Sequence, residues 1–592
     1  LLDGLEKLEY RGYDSAGIAV FDDGAIKIVK AKGKLSVLKN LVAGRELSGC
    51  IGIGHTRWAT HGEPSVPNAH PHFNSSRTIA VVHNGIIENY TEMRKYLSEK
   101  GYRFISDTDT EVVAHLLDYY YSKTNDPKEA VSKVLTRIEG SYALGMLFAD
   151  FPDTVFAARK DSPLAIGLGT GCNFIASDAP AIIKHTRDVI YIGNREIAEI
   201  KKDSVEVFNL DLEPLKKEAV RIEWDVEAAE KNGFEHFMLK EIYEQPAAIK
   251  NTVYPRISGS EINLDESGLS DDDFSRFKKI YVVACGSAYH AGVVGKYVIE
   301  KLARIPVETD LASEFRYRDP IYEKDALCVV ISQSGETADT LAALREAKKH
   351  GVFTLGIVNV VGSSIAREAD GVIYTHAGPE ISVATTKAYS AQLAVTYLLA
   401  LKLARLRGTL DDKEYRDYVD ELKTLHEKAA QLLGDNEDIQ RYAAGKAGER
   451  DIFFIGRGID YAAALEGSLK LKEISYIHSE AYAAGELKHG TISLIEKNTL
   501  VISLATQPDL FEKMKSNSEE VACRGADVFM ITQAEAQADE KADFSVSIPD
   551  VLPAFSASLS VIPLQLFAYY VCLTKGLDVD KPRNLAKSVT VE

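Results

Sequence analysis

The sequence predicts an α+β, sheet-rich N-terminal part followed by two α/β units with parallel sheets. Short β-type runs alternate with turn signals through residues 1–225, and two helical patterns interrupt them, which is typical of an α+β domain. Beyond residue 235, apolar strands alternate with helices, as in parallel sheets covered on both faces. The second α/β unit repeats the first, because two pairs of segments run in parallel: 450–474 with 278–302, and 498–521 with 325–348.

Length, charge and cysteine usage limit the possible functions. At 592 residues the chain exceeds what one hydrophobic core fills. A net charge of −18 argues against nucleic acid or an anionic membrane as the main partner. The six cysteines are scattered without a CxxC pair, which indicates a reducing, cytoplasmic location. The one long apolar tract, 551–574, contains two prolines, a glutamine and three serines, so we expect a buried core helix rather than a membrane span.

Domain boundaries follow from changes in this pattern. The stretch 226–235 is charged and lacks an apolar period, so we predict a linker there. The two α/β units are then expected over 236–408 and 409–580, and the polar segment 581–592 forms a C-terminal tail.

The first α/β unit carries a polar loop where a buried strand ends. The apolar run Leu327–Ile331 stops at SQSGET, residues 332–337. In a parallel sheet, ligands lie beyond the carboxyl ends of strands, where helix N-termini favour anions. No GxxxxGK[ST] motif is present, so a phosphorylated small molecule is favoured over a nucleotide. The alternative is that Ser334 and Thr337 only cap the next helix.

The C-terminal half also holds charged residues suited to isomerisation. Glu466, Lys470 and Glu473 have helical spacing and form either a surface salt-bridge face or a site with a carboxylate base. His489 follows in a glycine-flanked loop and suits an acid or base near neutrality. Lys587, in the tail, is either a surface lysine or an amine that attacks a ketose carbonyl.

The N-terminal half offers groups that recognise an amino acid. Five of the fourteen histidines lie between residues 55 and 83, but no HExxH motif or cysteine at ligand spacing accompanies them, so we expect no metal and no organic cofactor. Arg57 can clamp a carboxylate, and Asp109 can receive a free α-amino group. Asn84 and the Gly85 amide can form an oxyanion hole.

Long motifs across the whole chain carry a family resemblance. They include LEYRGYDSAG, HTRWATHGEPS, VVHNGIIEN, SEFRYRDP, SQSGETADT, LKLKEISYIHSEAYAAGELKHG and KPRNLAKSVTVE. Strand–SxSGxT–helix resembles sugar isomerase domains that bind phosphosugars, and the chain resembles the glutamine–fructose-6-phosphate aminotransferases (isomerising). The resemblance implies an N-terminal nucleophile-type glutaminase domain of stacked antiparallel sheets with helices over 1–225. It implies sugar isomerase domains over 236–408 and 409–580, with the tail 581–592 in the sugar site.

The resemblance also implies roles for individual residues. Lys587 forms an imine with open-chain fructose 6-phosphate, Glu473 moves the proton, His489 assists ring opening and Lys470 lies nearby. The glutamine site is implied at Arg57, Trp58, Thr60, His61 and Asp109. The sugar-phosphate site is implied at Cys285, Gly286, Ser287, Ser332, Gln333, Ser334, Thr337, Val383, Ala384, Thr385 and Ala586. Ala288 stands where the family often has a hydroxyl donor, which removes one phosphate contact.

The glutaminase nucleophile of this family is an N-terminal cysteine, and the printed chain begins at Leu1 with a helical pattern. Cys50 cannot replace it, because Cys50 has no free amine and is predicted to be a core residue that opens a strand. We expect a truncated sequence rather than a protein without glutaminase activity. Trp58 is implied to gate an internal ammonia path; core packing is the alternative.

The expected function is transfer of glutamine nitrogen to fructose 6-phosphate, giving glucosamine 6-phosphate, by a homodimer in which His489 can act across the interface. The alternatives are a non-catalytic phosphosugar sensor and an ammonia-dependent or deglycase-type isomerase.

Overall fold

The computed structural model describes residues 1–9, 12, 14–45, 47–178, 181–222, 231–434, 436–534 and 542–590. The chain divides into two compact units: residues 1–229 with 588–592, and residues 230–587. The part of the predicted linker before residue 231 lies outside the described residues.

The first unit consists of antiparallel sheets and a group of helices. Its strands are β1 (Ser15–Asp22), β2 (Ala25–Lys32), β3 (Ile51–Arg57), β4 (His72–Phe73), β5 (Ile79–Ile87), β6 (Gly140–Phe148), β7 (Val155–Lys160), β8 (Ala165–Leu168), β9 (Asn173–Ala176), β10 (Asp188–Tyr191), β11 (Glu196–Ile200), β12 (Val205–Phe208), β13 (Pro214–Leu215) and β14 (Val220–Arg221). Its helices are α1 (Leu2–Leu8), α2 (Leu35–Val42), α3 (Tyr90–Glu99), α4 (Glu111–Thr124) and α5 (Pro127–Arg137).

Two of these sheets face each other. The larger has the order β13-β12-β11-β7-β6-β5-β4, and the smaller is β2-β1-β3. Alternation along β5 explains the layering, because successive side chains point to opposite faces. Val81 packs among the helices α3–α5, whereas Val82 packs against Ile53 of the smaller sheet. This stacked antiparallel arrangement confirms the α+β prediction.

The second unit contains paired strands and many helices. Its strands are β15 (Ile257–Ser258), β16 (Glu261–Ile262), β17 (Lys279–Ala284), β18 (Val307–Leu311), β19 (Ala326–Ser332), β20 (Phe353–Val358), β21 (Gly371–Tyr374), β22 (Asp451–Gly456), β23 (His478–Ala483), β24 (Leu500–Ala505), β25 (Asp527–Gln533) and β26 (Phe544–Ile548). Its α-helices are α6 (Phe237–Tyr243), α7 (Gln245–Val253), α8 (Asp271–Arg276), α9 (Gly286–Leu302), α10 (Ala312–Phe315), α11 (Ala338–Lys349), α12 (Ser364–Glu368), α13 (Lys387–Arg407), α14 (Asp412–Leu432), α15 (Glu437–Lys446), α16 (Ile459–Ser475), α17 (Phe511–Ala522) and α18 (Ala557–Thr574). Short 3-10 helices are Tyr254–Arg256, Asp265–Ser267, Glu486–His489, Thr491–Leu494, Pro508–Leu510 and Pro553–Phe555.

The predicted duplication of a parallel sheet is confirmed. The orders are β18-β17-β19-β20-β21 in the first copy and β23-β22-β24-β25-β26 in the second, so the two sheets share one topology. Every described pairing within them is parallel. The strand order reverses between β17 and β19 in the first copy and between β22 and β24 in the second. Sheets of this kind bind ligands at such a switch point.

Helices of both copies share one core. The helices α9, α13, α16 and α18 contribute to a single cluster of buried apolar side chains. The apolar helix α18 is long enough to cross a membrane but is mostly buried inside the protein, with Leu566 and Phe567 fully covered. The prediction of a core helix over 551–574 is therefore confirmed.

The turn after β19 requires glycine. Gly335 has φ +66°, in the left-handed region that disfavours side chains. A Cβ there would lie 2.0 Å from Ser363 Oγ and 2.5 Å from Ser363 Cβ. The polar loop at the end of β19 thus packs against the start of α12 without room for a methyl group.

We predict that Gly335→Ala destabilises the protein more than Gly351→Ala. Both positions have positive φ, so each substitution costs about 1–2 kcal/mol from backbone strain. A Cβ at Gly351 meets nothing within 4 Å, whereas the clash at Gly335 adds about 1–3 kcal/mol. Thermal melting of the two variants checks this, and equal melting temperatures would contradict the packing described for the turn.

Candidate functional sites

The polar loop of the first copy lies at the carboxyl ends of β17 and β19. Ser332, the last residue of β19, is 2% exposed. Its Oγ lies 2.9 Å from Thr337 Oγ1 and accepts the Gly335 N–H at 3.0 Å. Ser334 Oγ accepts the Glu336 N–H at 3.2 Å. These bonds fold residues 332–337 into a compact loop at the point where the sheet topology favours a ligand.

Helix capping does not explain the Thr337 hydroxyl. Thr337 is the N-cap residue of α11, but its side chain makes no capping hydrogen bond. The hydroxyl pairs with Ser332 instead. The N-terminal amides of α11 and the hydroxyls of the loop therefore lie together, and such groups favour a bound anion.

A buried charged cluster joins α9 of the first copy to α16 of the second. Glu466 is fully buried, and its carboxylate accepts from Ser287 Oγ at 2.9 Å and lies 2.8 Å from His290 Nδ1. Lys470 Nζ donates to Ser287 Oγ at 3.0 Å and lies 3.4 Å from the Glu466 carboxylate. The Ser287 hydroxyl, predicted as a sugar-phosphate contact, thus donates to Glu466.

The same lysine holds the predicted base. Lys470 Nζ lies 2.6 Å from Glu473 Oε2. Burial opposes the charge of Lys470, but the carboxylates of Glu473 and Glu466 outweigh burial and raise the pKa of the lysine. The Lys470 side chain is 1% exposed and that of Glu473 21% exposed, so the surface salt-bridge interpretation of this helix is wrong.

Lys587 is buried, and the surface-lysine alternative is also wrong. Its side chain is 4% exposed and forms an ion pair with fully buried Glu380. The Lys587 ammonium also donates to Thr385 Oγ1 at 3.3 Å. Burial opposes ionisation of Glu380, but the charge and hydrogen bond of Lys587 lower the pKa of that carboxyl.

The residues around Lys587 include several that the sequence predicted. Ala384 is fully buried, and the Val383 N–H donates to the Asp580 carbonyl at 3.0 Å. Ala586 is half-buried beside Lys587. The lysine and the predicted pocket segment 383–385 are therefore neighbours, although about 200 residues of chain separate them.

Three predicted residues have other surroundings. Cys285 is the N-cap residue of α9; its Sγ accepts from Thr340 Oγ1 at 3.8 Å, and burial raises the pKa of its thiol. Gly286 is the first residue of α9. His489 is exposed at the end of a 3-10 turn, and no hydrogen bond or ion pair joins it to the described residues of the Glu466–Lys470 cluster.

The second copy fills the equivalent position with its own carboxylate. Asp460, near the start of α16, is fully buried and accepts the Thr506 N–H at 2.7 Å as well as the Thr506 hydroxyl. Burial raises the pKa of Asp460 to about 6, although these hydrogen bonds oppose the rise. Asp460 corresponds in the repeat to Ala288 of the first copy, which has no polar side chain.

The first unit has a cavity of about 500 Å³ that brings the predicted glutamine site together. All seven residues predicted for glutamine binding and the oxyanion hole line it: Arg57, Trp58, Thr60, His61, Asn84, Gly85 and Asp109. Ser588 and Thr590 of the C-terminal tail line the same cavity.

The clamp residues are held by their own chain. Arg57 Nη2 donates to the carbonyls of His61 and Gly62, the latter at 2.9 Å. Asp109 Oδ2 accepts the Ile87 N–H at 2.8 Å. Burial lowers the pKa of Arg57, while the carboxylates of Asp14 and Asp109 oppose this. Both side chains are almost fully buried, so their orientation is fixed before a ligand arrives.

A histidine that no sequence motif indicated, His55, supports the predicted oxyanion hole. Asn84 Oδ1 lies 2.7 Å from His55 Nε2. Burial lowers the pKa of His55 to about 4, so the ring is neutral, and an amide oxygen can only accept. The Nε2–H tautomer of His55 therefore donates to Asn84 and leaves the amide NH2 group for another acceptor. Gly85 has φ +127°, and a Cβ there would lie 2.1 Å from the Ser141 carbonyl.

Two further expectations in this unit are corrected. Cys50 is exposed and precedes β3, so its prediction as a core residue is wrong. Trp58 is 39% exposed, which excludes the core-packing alternative for that side chain. Both residues line the cavity.

Several contacts within these sites join residues that are far apart in the sequence, so no local pattern predicts them. Glu380 meets Lys587 across 207 residues, and Glu466 meets Ser287 across 179 residues. No local pattern marks Glu380 or its neighbour Glu241. The only signal in the sequence is that a glutamate, Glu380, stands just before the predicted pocket segment 383–385.

Comparison with known proteins follows the two-unit organisation. The family model described as glutamine amidotransferase domain matches residues 55–184. The model described as SIS domain matches residues 273–402 and 447–575, which agrees with the duplicated parallel sheets.

Curated relatives match the chain from end to end. Glutamine–fructose-6-phosphate aminotransferase [isomerizing] of Caldanaerobacter subterraneus subsp. tengcongensis is 59% identical over 594 residues, covering 100% of this chain and 97% of the relative. The protein of the same name from Clostridium tetani is 56% identical with the same coverage. The solved C-terminal domain of glucosamine-fructose-6-phosphate aminotransferase from Francisella tularensis is 40% identical, with a TM-score of 0.58, over 59% of this chain and 99% of that one. The chain belongs to the family of glutamine–fructose-6-phosphate aminotransferases (isomerising).

Proposed function

We propose that this protein transfers the amide nitrogen of glutamine to fructose 6-phosphate and isomerises the product to glucosamine 6-phosphate, releasing glutamate. The observation that carries the sugar half is the buried Lys587, which lies beside Glu380 and Thr385. A lysine removed from water suits imine formation with a ketose, and the neighbouring carboxylate and hydroxyl hold its amine in place.

The phosphate is bound by the loop 332–337 at the end of β19. Ser332, Gln333, Ser334 and Thr337 supply donors there, and the N-terminus of α11 adds backbone amides. Ala288 lacks a hydroxyl and Ser287 donates to Glu466, so the loop after β19 bears most of the binding. Cys285 and Gly286 close the other side, while Val383, Ala384, Thr385 and Ala586 contact the sugar.

Glu473 moves the proton between the adjacent carbons of the sugar. Its hydrogen bond from Lys470 orients the carboxylate, as a general base requires. His489 assists ring opening. Its exposed position fits a homodimer in which this histidine completes the site of the partner subunit.

Glutamine is hydrolysed in the first unit. Arg57 and Asp109 bind its carboxylate and amino groups with Trp58, Thr60 and His61, and Asn84 with Gly85 stabilises the oxyanion. The two cysteines that line the cavity, Cys50 and Cys172, are internal and have no free amine. Neither of them therefore fits the N-terminal cysteine nucleophile that the family resemblance implies, and Trp58 gates the ammonia path.

The remaining assignments concern organisation. The glutaminase domain covers 1–225, a linker 226–235, the two sugar isomerase domains 236–408 and 409–580, and the tail 581–592 completes the sugar site. Scattered free cysteines support a cytoplasmic location.

We predict that sodium borohydride traps fructose 6-phosphate as a reduced adduct on Lys587. Peptide mapping by mass spectrometry locates the adduct. Lys587→Met abolishes it, because it removes the amine that lies beside Thr385. Lys575→Met, which removes an exposed lysine at the end of α18, leaves it unchanged. Sugar-phosphate binding without any adduct would instead identify a sensor.

We also predict that glutamine-dependent formation of glucosamine 6-phosphate does not require Cys50, which is internal and has no free amine. The natural protein forms product from glutamine, and its Cys50→Ala variant retains this activity. Product analysis with glutamine or ammonium salts as nitrogen source checks this. Loss of glutamine-dependent activity in Cys50→Ala would contradict the proposal, and turnover with ammonium alone would favour an ammonia-dependent isomerase.

A further inference from the structure

Glu241 is a buried carboxyl group that the proposed mechanism does not use. It lies in α6 and is 1% exposed. Its Oε1 accepts the N–H groups of Ile381 and Ser382 at 2.5 and 3.2 Å. Its Oε2 is also buried and has no hydrogen-bond partner among the described residues. A buried carboxyl oxygen without a partner is costly when it is ionised.

The position of Glu241 links it to the lysine that forms the imine. The two amides that it binds follow Glu380 directly in the chain, and Glu380 forms the ion pair with Lys587. Glu380 itself accepts the N–H groups of Thr386 and Ala388 at 2.9 and 3.0 Å. The carboxyl groups of Glu241 and Glu380 therefore flank one short segment of backbone. Among the described residues, Glu380 forms an ion pair with a lysine and Glu241 does not.

Other charged groups around Glu241 are already paired. Lys387, at the start of α13, lies 2.7 Å from Glu244, and Lys240 lies 3.4 Å from the same carboxylate. Asp580 accepts the N–H groups of Phe237 and Met238 at the start of α6. These pairs leave Glu380 and Lys587 as the groups whose charge Glu241 would alter.

We propose that Glu241 is a positioning residue that carries a proton in the working enzyme and thereby limits the negative charge beside Lys587. With Glu241 neutral, the ammonium of Lys587 faces one carboxylate. When Glu241 loses its proton, a second negative charge stabilises the ammonium form. Since only the free amine attacks a carbonyl, ionised Glu241 slows imine formation.

Burial and the neighbouring Glu380 raise the pKa of Glu241 to about 8, while Lys587, Lys387 and the Ile381 amide oppose the rise. Glu241 therefore changes charge at the alkaline end of the physiological range. Because its pKa is raised above the ordinary value, the proton on Glu241 also stabilises the fold at low pH, and this stabilisation is lost as the pH rises towards 8.

The test compares Glu241→Gln with the wild-type chain. It rests on the proposed imine at Lys587 and measures the rate of adduct formation with fructose 6-phosphate and cyanoborohydride at pH 6.5, 7.5, 8.5 and 9. A shift of one pKa unit in the lysine would change the free-amine fraction by about tenfold. The ratio of variant to wild type at each pH cancels the pH dependence of the reagent. We expect a ratio of about 1 at pH 6.5 that rises to about three- to tenfold at pH 9.

The control is Glu300→Gln. Glu300 also accepts a backbone amide, that of Val307 at 2.9 Å, and pairs with Lys296, so it reproduces the chemical change without the Lys587 neighbourhood. We expect the ratio of the Glu300→Gln rate to the wild-type rate to be the same at every pH. Melting temperatures provide a second readout: the stability of Glu241→Gln relative to wild type increases between about pH 5 and 8.

The outcomes separate this inference from the function on which it rests. A flat ratio for Glu241→Gln, or a loss of adduct at every pH, would overturn the charge-limiting role while the wild-type adduct upholds the imine. Absence of any wild-type adduct would overturn the proposed imine and this inference with it.

Discussion

The proposed sugar site depends on one buried ion pair, between Lys587 of the tail and Glu380 in the loop before α13. Both charges are removed from water, and breaking such a pair by removing one partner costs about 3–5 kcal/mol. The pair therefore fixes the C-terminal segment in the second unit, and the Glu380 amide bonds to Thr386 and Ala388 tie it to the start of a long core helix. The amine of Lys587 is thus positioned by the body of the fold rather than by the tail itself.

Duplication supplies this scaffold, and the two copies differ at the position where α9 and α16 begin. Both sheets have the same strand order, and both place a loop at the same topological switch point. In the first copy a small residue, Ala288, stands at this place, whereas in the second copy Asp460 stands there and accepts from the Thr506 donors. The second copy instead contributes α16, whose Glu466 and Lys470 reach across to the first copy. In the proposed mechanism the first copy binds the phosphate group and the second copy supplies charged side chains.

Local patterns predicted much of the fold and the positions of strand ends. The run Leu327–Ile331 followed by polar residues located the loop, because a buried strand and its turn are encoded by neighbouring residues. Contacts between distant segments were not predictable: Glu380 with Lys587, Glu466 with Ser287, and His55 with Asn84 depend on tertiary packing. Cys50 was misassigned because an apolar side chain before a strand does not reveal which face, or edge, it occupies.

The most direct test of this account is a crystal structure of the protein with fructose 6-phosphate. We expect the phosphate group to lie within hydrogen-bonding distance of the loop 332–337, and the sugar C2 atom to contact Lys587 Nζ. A phosphate group bound at the Asp460–Thr506 end of the second sheet, or a Lys587 side chain turned into solvent beside an occupied sugar site, would contradict it.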